Sequence, residues 1–372
     1  MLLRSVYTEG KMIRRGLLVL FTLLFAVDGY GETFKTIRQQ FEIYQRFTGE
    51  IEILSTDDTK EIDNVLRRTD LKRLIVRKAL VMAQPEKMSE KDLPSPLFTE
   101  NYTAPFSYYI TVERAFAYRT LEQNNPDDAM QSIRYVFRLT DFLAESGSLE
   151  LRVLAARTRL QTLETVQALL QNPHCRHEDH ETLYKIFDGK IKNRADEETI
   201  WTRYREEGER FFEDIPRRDL SEILSPNLLK ELEDRRAFAH YEKEWERRFT
   251  HDRSVFDRVS EAIVESSSQP YFKRLPVLRQ LDREVREHRG SAIEPVFALL
   301  LLQEVTSSMR LFAQEQSGIE MAHLALSVSL GAQNRRKLIN PLTGRDYEIR
   351  LIPDGVMSTY EGNVKPFYVP YR

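Results

Sequence analysis

Residues 174–180 read His174-Cys175-Arg176-His177-Glu178-Asp179-His180. Three of the chain's seven histidines, its one cysteine and two acids fall together there. Imidazole and thiolate are good ligands for zinc or copper. If a helix begins near residue 177, His177 and His180 sit three apart on one face. His174, Cys175, His177 and His180 are therefore the candidate metal ligands, with zinc as the candidate ion. The alternative is a polar loop after Asn172-Pro173, with Glu178 and Asp179 near the positive end of the next helix. Paired C-x-x-C or H-x-x-x-H spacings and an H-E-x-x-H run are missing from the sequence. No cofactor is expected beyond that zinc.

The second constellation is an acidic band: Asp196, Glu197, Glu198, Glu206, Glu207, Glu209, Glu213 and Asp214, around Trp201, Tyr204 and Phe211. Carboxylate pairs beside aromatic rings can serve glycoside chemistry. Arg194, Arg203, Arg205 and Arg210 interleave with these acids, which is also the pattern of a solvated helix face laced by i, i+4 pairs. The sequence has no Gly-x-Ser-x-Gly elbow, phosphate-binding glycine loop or dinucleotide fingerprint.

These residues need a scaffold, and the composition points to helices. Of 372 residues 41% are hydrophobic and 30% charged, while glycine (14) and proline (15) are sparse. The mean hydropathy of −0.48 argues against a multi-span membrane protein, and a single cysteine against a disulfide scaffold. Fifty-five basic residues against 58 acidic ones create no field that would favour nucleic acid.

The N-terminus has the layout of a secretory signal peptide. Arg4, Lys11, Arg14 and Arg15 precede an apolar run from Gly16 to Val27, and Gly29 and Gly31 supply small residues for a cut before Glu32. The alternative is a retained membrane anchor, although the run is shorter than the roughly 20 residues that span a bilayer. Residues 1–31 are read as the signal peptide or anchor, 32–105 as an N-terminal helical segment with a Pro-rich loop, 106–339 as a helical body, and 340–372 as a β-hairpin tail.

Within the first of these helices, Phe34, Ile37, Phe41 and Tyr44 form one stripe. Further helices are expected over 58–83, 106–123, 126–145, 149–170, 179–192, 196–213, 219–248, 252–266 and 275–289. A long apolar helix over 294–316 follows, and Gly318 separates it from a helix over 319–330 capped by Gly331. The run Phe297–Leu302 is apolar on every side and reads as a core helix. Asn340-Pro341-Leu342-Thr343-Gly344 reads as a turn. Alternating Tyr347, Ile349 and Leu351, then Pro353-Asp354-Gly355, read as a strand and hairpin turn. A lone two-stranded hairpin is marginal in water, so Tyr347, Ile349, Tyr360 and Phe367 are expected to dock on the helices.

Residues 107–146 resemble one tetratricopeptide-type hairpin, with Ala129 after the acidic turn, but no 34-residue period repeats, so they are read as one generic αα-hairpin. More broadly, NNPDDAMQSIRYVFRLTDFLAESGSLELRVLAARTRLQTLETV, EEGERFFEDI and the tail NPLTGRDYEIRLIPDG resemble a group of exported helical proteins of planctomycetes and some proteobacteria. The tail is also similar to the C-terminal β segment of type II secretion pseudopilins. The chain departs from that pattern in lacking the Gly-Phe-Thr-Leu-Ile-Glu processing site and the calcium-binding ending. The resemblance thus implies export and a helical body, but neither filament assembly nor calcium binding.

The function expected is a non-catalytic envelope scaffold or partner-binding module, exported to the periplasm or cell envelope, whose partner is another envelope protein. The alternative is an exported hydrolase or lyase using the acids near Trp201 or a metal at His174–His180.

Overall fold

The structure is a computed structural model that describes residues 59–82, 103–217, 244–287, 294–302, 305–332, 337–361 and 365–371, with single positions between 220 and 233. The export segment, the helix expected over 32–48, most of the Pro-rich loop and most of 219–243 lie outside the described residues.

The protein is mainly α-helical with a small antiparallel sheet at its C-terminus. The helices are α1 (Thr59–Met82), α2 (Ala104–Glu122), α3 (Pro126–Glu145), α4 (Leu149–Gln171), α5 (His177–Lys192), α6 (Glu197–Asp214), α7 (Trp245–Ser267), α8 (Tyr271–Glu287), α9 (Val296–Leu302) and α10 (Val305–Ser329). The strands are β1 (Glu348–Ile352), β2 (Gly355–Thr359) and β3 (Phe367–Pro370).

Local chemistry sets most of these boundaries. The Asn125 side chain accepts the Asp128 N–H, and Pro126 with Asp127 and Asp128 opens α3. Pro105 sits in the first turn of α2, not in the preceding loop, because its missing N–H falls where no intrahelical bond is needed. Gly147 (φ 83°) turns the chain between α3 and α4, and Gly331 (φ 68°) closes α10 while the Ala332 N–H bonds Ser327 O.

Gly318 does not divide α10. A Cβ there would lie 2.7 Å from Leu163 Cδ1, so the glycine lets α10 press against α4 instead of ending a helix. The expected break between 248 and 252 is also absent, and α7 runs through it while Trp245 and Phe249 stack one turn apart.

Three apolar clusters fill the bundle. One joins α1, α2, α3 and the start of α4 around Phe106, Tyr109 and Phe142. A second joins α6–α9 to the first half of α10 around Trp201, Phe212, Phe256 and Phe297. The third joins the second half of α10 to α4, α5 and the inner face of the sheet.

Helix α9 is buried on all sides. Its free N–H groups are met by Asp252, whose buried carboxylate accepts from Phe297 N at 2.8 Å and Ala298 N at 2.6 Å. The stretch Val296–Ser329 is long and apolar enough to cross a membrane, but 75% of its most apolar window is buried inside the protein. Core packing accounts for that composition.

The tail is a three-stranded sheet in the order β1-β2-β3, one strand more than the expected hairpin. It docks as expected: Phe367 is buried, and Tyr347, Ile349 and Tyr360 pack against the third cluster. The preceding turn is tied to α10. Asn340 Oδ1 accepts from Leu342 N and Thr343 N, and its Nδ2 reaches Ser317 Oγ at 3.3 Å.

A Cβ on Gly355 would sit 2.4 Å from Val369 O and 2.9 Å from Pro370 Cα, both backbone atoms that cannot swing away. Gly355→Ala is therefore expected to destabilise the fold by about 1–3 kcal/mol, the usual range for overpacking. Thermal unfolding checks this, and an unchanged midpoint would show that the sheet does not need the close β2–β3 approach.

Candidate functional site

The histidine cluster is split by the start of α5. His174 and His177 face solvent, while Cys175 and His180 are buried. His177 Nε2 lies 3.8 Å from Glu181 Oε1, and Asp179 reaches back to accept the Arg176 N–H at 2.7 Å. Asp179 thus holds the first turn of α5. Among the described residues no group of three or more His, Cys, Asp and Glu side chains is arranged to hold a metal ion.

The acidic band wraps around α6 instead of converging. Asp196 caps the helix by accepting Glu198 N–H, Glu197 pairs with Arg274 at 2.6 Å, and Glu209 pairs with Arg205 at 2.8 Å. Trp201, Tyr204, Phe211 and Phe212 point into the core. Glu207 alone among these acids turns inward, 8% exposed, and its Oε1 has no hydrogen-bond partner among the described residues.

Burial, together with the neighbouring Glu150 charge, pushes the Glu207 carboxyl up to about 8 against the pull of Arg210 and Arg203. Glu150 stands at the start of α4, where it accepts from Ser148 Oγ at 2.7 Å. Arg203 Nη1 donates to Ser146 O at 3.0 Å across the α3–α4 turn, in the space a side chain at Gly147 would need. A carboxyl held protonated at neutral pH can serve as a proton donor.

The densest buried charge system was not legible as a motif. Glu315 on α10 takes Arg152 at 2.5 Å on one oxygen and Arg159 at 2.5 Å on the other. Arg159 also bonds Asp141 at 2.7 Å and Thr140, and Lys190 completes the chain at Asp141. Burial alone would raise the Glu315 carboxyl, but the two guanidiniums bring it down to about 2. A smaller system ties α1 to α2 and α3: buried Glu113 accepts from Arg77 at 2.7 Å and from Tyr109 at 2.7 Å. Where the sheet meets α10, Tyr347 donates to Glu320 Oε2 at 2.6 Å, and burial and the Glu320 charge push its hydroxyl pKa up.

The remaining feature with binding chemistry is the outer edge of the sheet. The two-residue loop Pro353-Asp354 makes Ile352 and Gly355 the hydrogen-bonded closing pair, and such pairs alternate along an antiparallel ladder. Ile349 and Leu351 therefore aim their backbone N–H and C=O away from β2, where no strand lies among the described residues. Leu351 is opposite buried Val356 on the face that meets the helices, yet it is 69% exposed. The sheet overhangs the helical body at β1.

No protein-family model matches the chain, and no curated protein or solved structure matches it either.

Proposed function

We propose that this chain is a non-catalytic partner-binding module of the cell envelope, exported by its N-terminal segment, and that it receives an extended segment of another envelope protein along β1. The observation that carries this reading is the overhanging edge: Leu351 uncovered on the inner face, next to outward backbone groups at Ile349 and Leu351. An open edge recognises an added strand through main-chain bonds, and exposed side chains at alternate positions supply selectivity. The buried ion pairs serve the scaffold by joining α3, α4, α5 and α10 into one body.

A photoreactive residue in place of Leu351 tests this in the native envelope. The expected result is one discrete protein adduct that disappears in Ile349→Pro, which deletes an outward N–H that β2 does not use. An adduct indifferent to Ile349→Pro, or no adduct, would count against the reading. The unfolding temperature of Ile349→Pro shows whether its fold is intact.

The exported hydrolase or lyase remains as a second reading because Glu207 is held protonated beside Glu150. Release of reducing ends from envelope polysaccharide by the wild type, lost in Glu207→Gln, would support it.

A further inference from the structure

The buried charge system at α10 holds more cations than its two central carboxylates can neutralise. Arg152, Arg159 and Lys190 converge from α4 and α5 on Glu315 of α10 and Asp141 of α3. Glu315 gives one oxygen to each arginine. Asp141 gives Oδ1 to Arg159 at 2.7 Å, so Lys190 shares, through Oδ2, an acid that Arg159 already holds. Glu145, one turn further along α3, is the remaining acid near the amine, but burial and the Asp141 charge push its carboxyl up.

Of the three cations only lysine can release its proton, since a guanidinium stays charged in proteins. Burial pushes the Lys190 ammonium down and Arg159 pushes it further, against the pull of Asp141 and Glu315. The neutral amine keeps its place, because an N–H still donates to Asp141 Oδ2. It then carries a free lone pair, and a desolvated lysine beside a second cation is an activated nucleophile. Access is narrow: the Lys190 side chain is 12% exposed and that of Asp141 36%. The Phe137 ring, 5.6 Å from Nζ, forms an apolar wall. Such an opening suits a small electrophile.

We propose that Lys190 is a covalent capture site for small aldehydes. The amine lone pair attacks the carbonyl carbon, and the C=O π pair moves to oxygen. A proton then passes from nitrogen to that oxygen by way of Asp141, which already holds the amine, and gives a carbinolamine. The hydroxyl departs with the second nitrogen proton as water and leaves an imine. One amine and one aldehyde thus give one imine and one water, with no oxidant or reductant consumed. Imine formation fits these groups because it needs proton transfers at nitrogen, and Asp141 lies on that nitrogen. The capture is reversible and independent of strand addition at β1.

Glycolaldehyde with cyanoborohydride, which reduces an imine to a stable secondary amine, tests this on the full chain. Peptide mass spectrometry reads each lysine separately. At pH 7 Lys190 is expected to be labelled several-fold faster than the exposed Lys185 and Lys365, and its rate to level off at a lower pH than theirs. In urea the advantage is expected to vanish, because unfolding separates Lys190 from Arg159. Labelling of Lys190 no faster than that of the exposed pair at pH 7 would overturn the proposal. So would an advantage that survives unfolding, which would belong to the local sequence and not to the buried cluster.

Discussion

Glu315→Gln is expected to destabilise the protein by about 3–5 kcal/mol, because it leaves Arg152 and Arg159 buried without their shared counter-charge. Glutamine keeps the shape and can still accept from one guanidinium. It cannot neutralise two. Arg159 retains Asp141, so the sharper loss falls on Arg152, whose Nε and Nη1 have no hydrogen-bond partner among the described residues. Urea unfolding at pH 7 measures the effect. A loss below about 1 kcal/mol would mean that the triad is no more than a neutral replacement for apolar packing. Replacing Arg152, Arg159 and Glu315 together by leucine or methionine is expected to cost less than Glu315→Gln alone, since no charge is then stranded at their shared contact.

The same residue gives the protein an acid limit. The Glu315 carboxyl titrates at about 2 in the fold, below its ordinary value of 4.5. The folded state therefore holds the proton less tightly than the unfolded chain does. The stability from this difference is complete above about pH 4.5 and drains away as the pH falls through 2. It amounts to about 3 kcal/mol at 1.36 kcal/mol per unit. Wild-type stability should fall over that window, and Glu315→Gln should show a flatter profile there.

Helix punctuation was legible because it is local. The starts and ends expected for the helices over 126–145 and 149–170, and the Gly331 cap, depend on Asn125, Gly147 and Gly331, each acting within one turn of its own position. Gly318 was misread for the complementary reason. Its role depends on Leu163, on a helix more than a hundred residues earlier, and only the fold brings that side chain close. The Arg152–Glu315 pair shows the same limit, since its partners are 163 residues apart. The seven-residue spacing of Arg152 and Arg159 within an apolar helix was the signal available for two buried cations on one face. Strand β3 escaped notice because Phe367–Pro370 is four residues long and ends in proline. The proline is tolerated opposite Gly355, at a pair that exchanges no ladder bond.

Glu207→Gln is expected to stabilise the protein at neutral and alkaline pH. The interleaved arginines of α6 read as partners that would keep its acids in water, and for Glu209 this holds. Glu207 instead is buried, and burial, with the charge of Glu150, lifts its carboxyl to about 8. Its folded-state value lies above the 4.5 of the unfolded chain, so the fold binds this proton more tightly. The associated stability is intact below about pH 4.5 and is lost as the pH rises through 8. The loss is about 3 kcal/mol by pH 7 and 4–5 kcal/mol above pH 8. Glutamine mimics the protonated carboxyl and does not titrate. The variant should match the wild type near pH 4.5 and exceed it increasingly toward pH 8–9, with a higher midpoint in thermal unfolding. Parallel pH profiles would show that Glu207 ionises as freely in the fold as out of it. If Glu207→Gln gains stability but retains the Leu351 adduct, the acid is independent of partner binding, and the gain measures what any chemistry at Glu207 costs the fold.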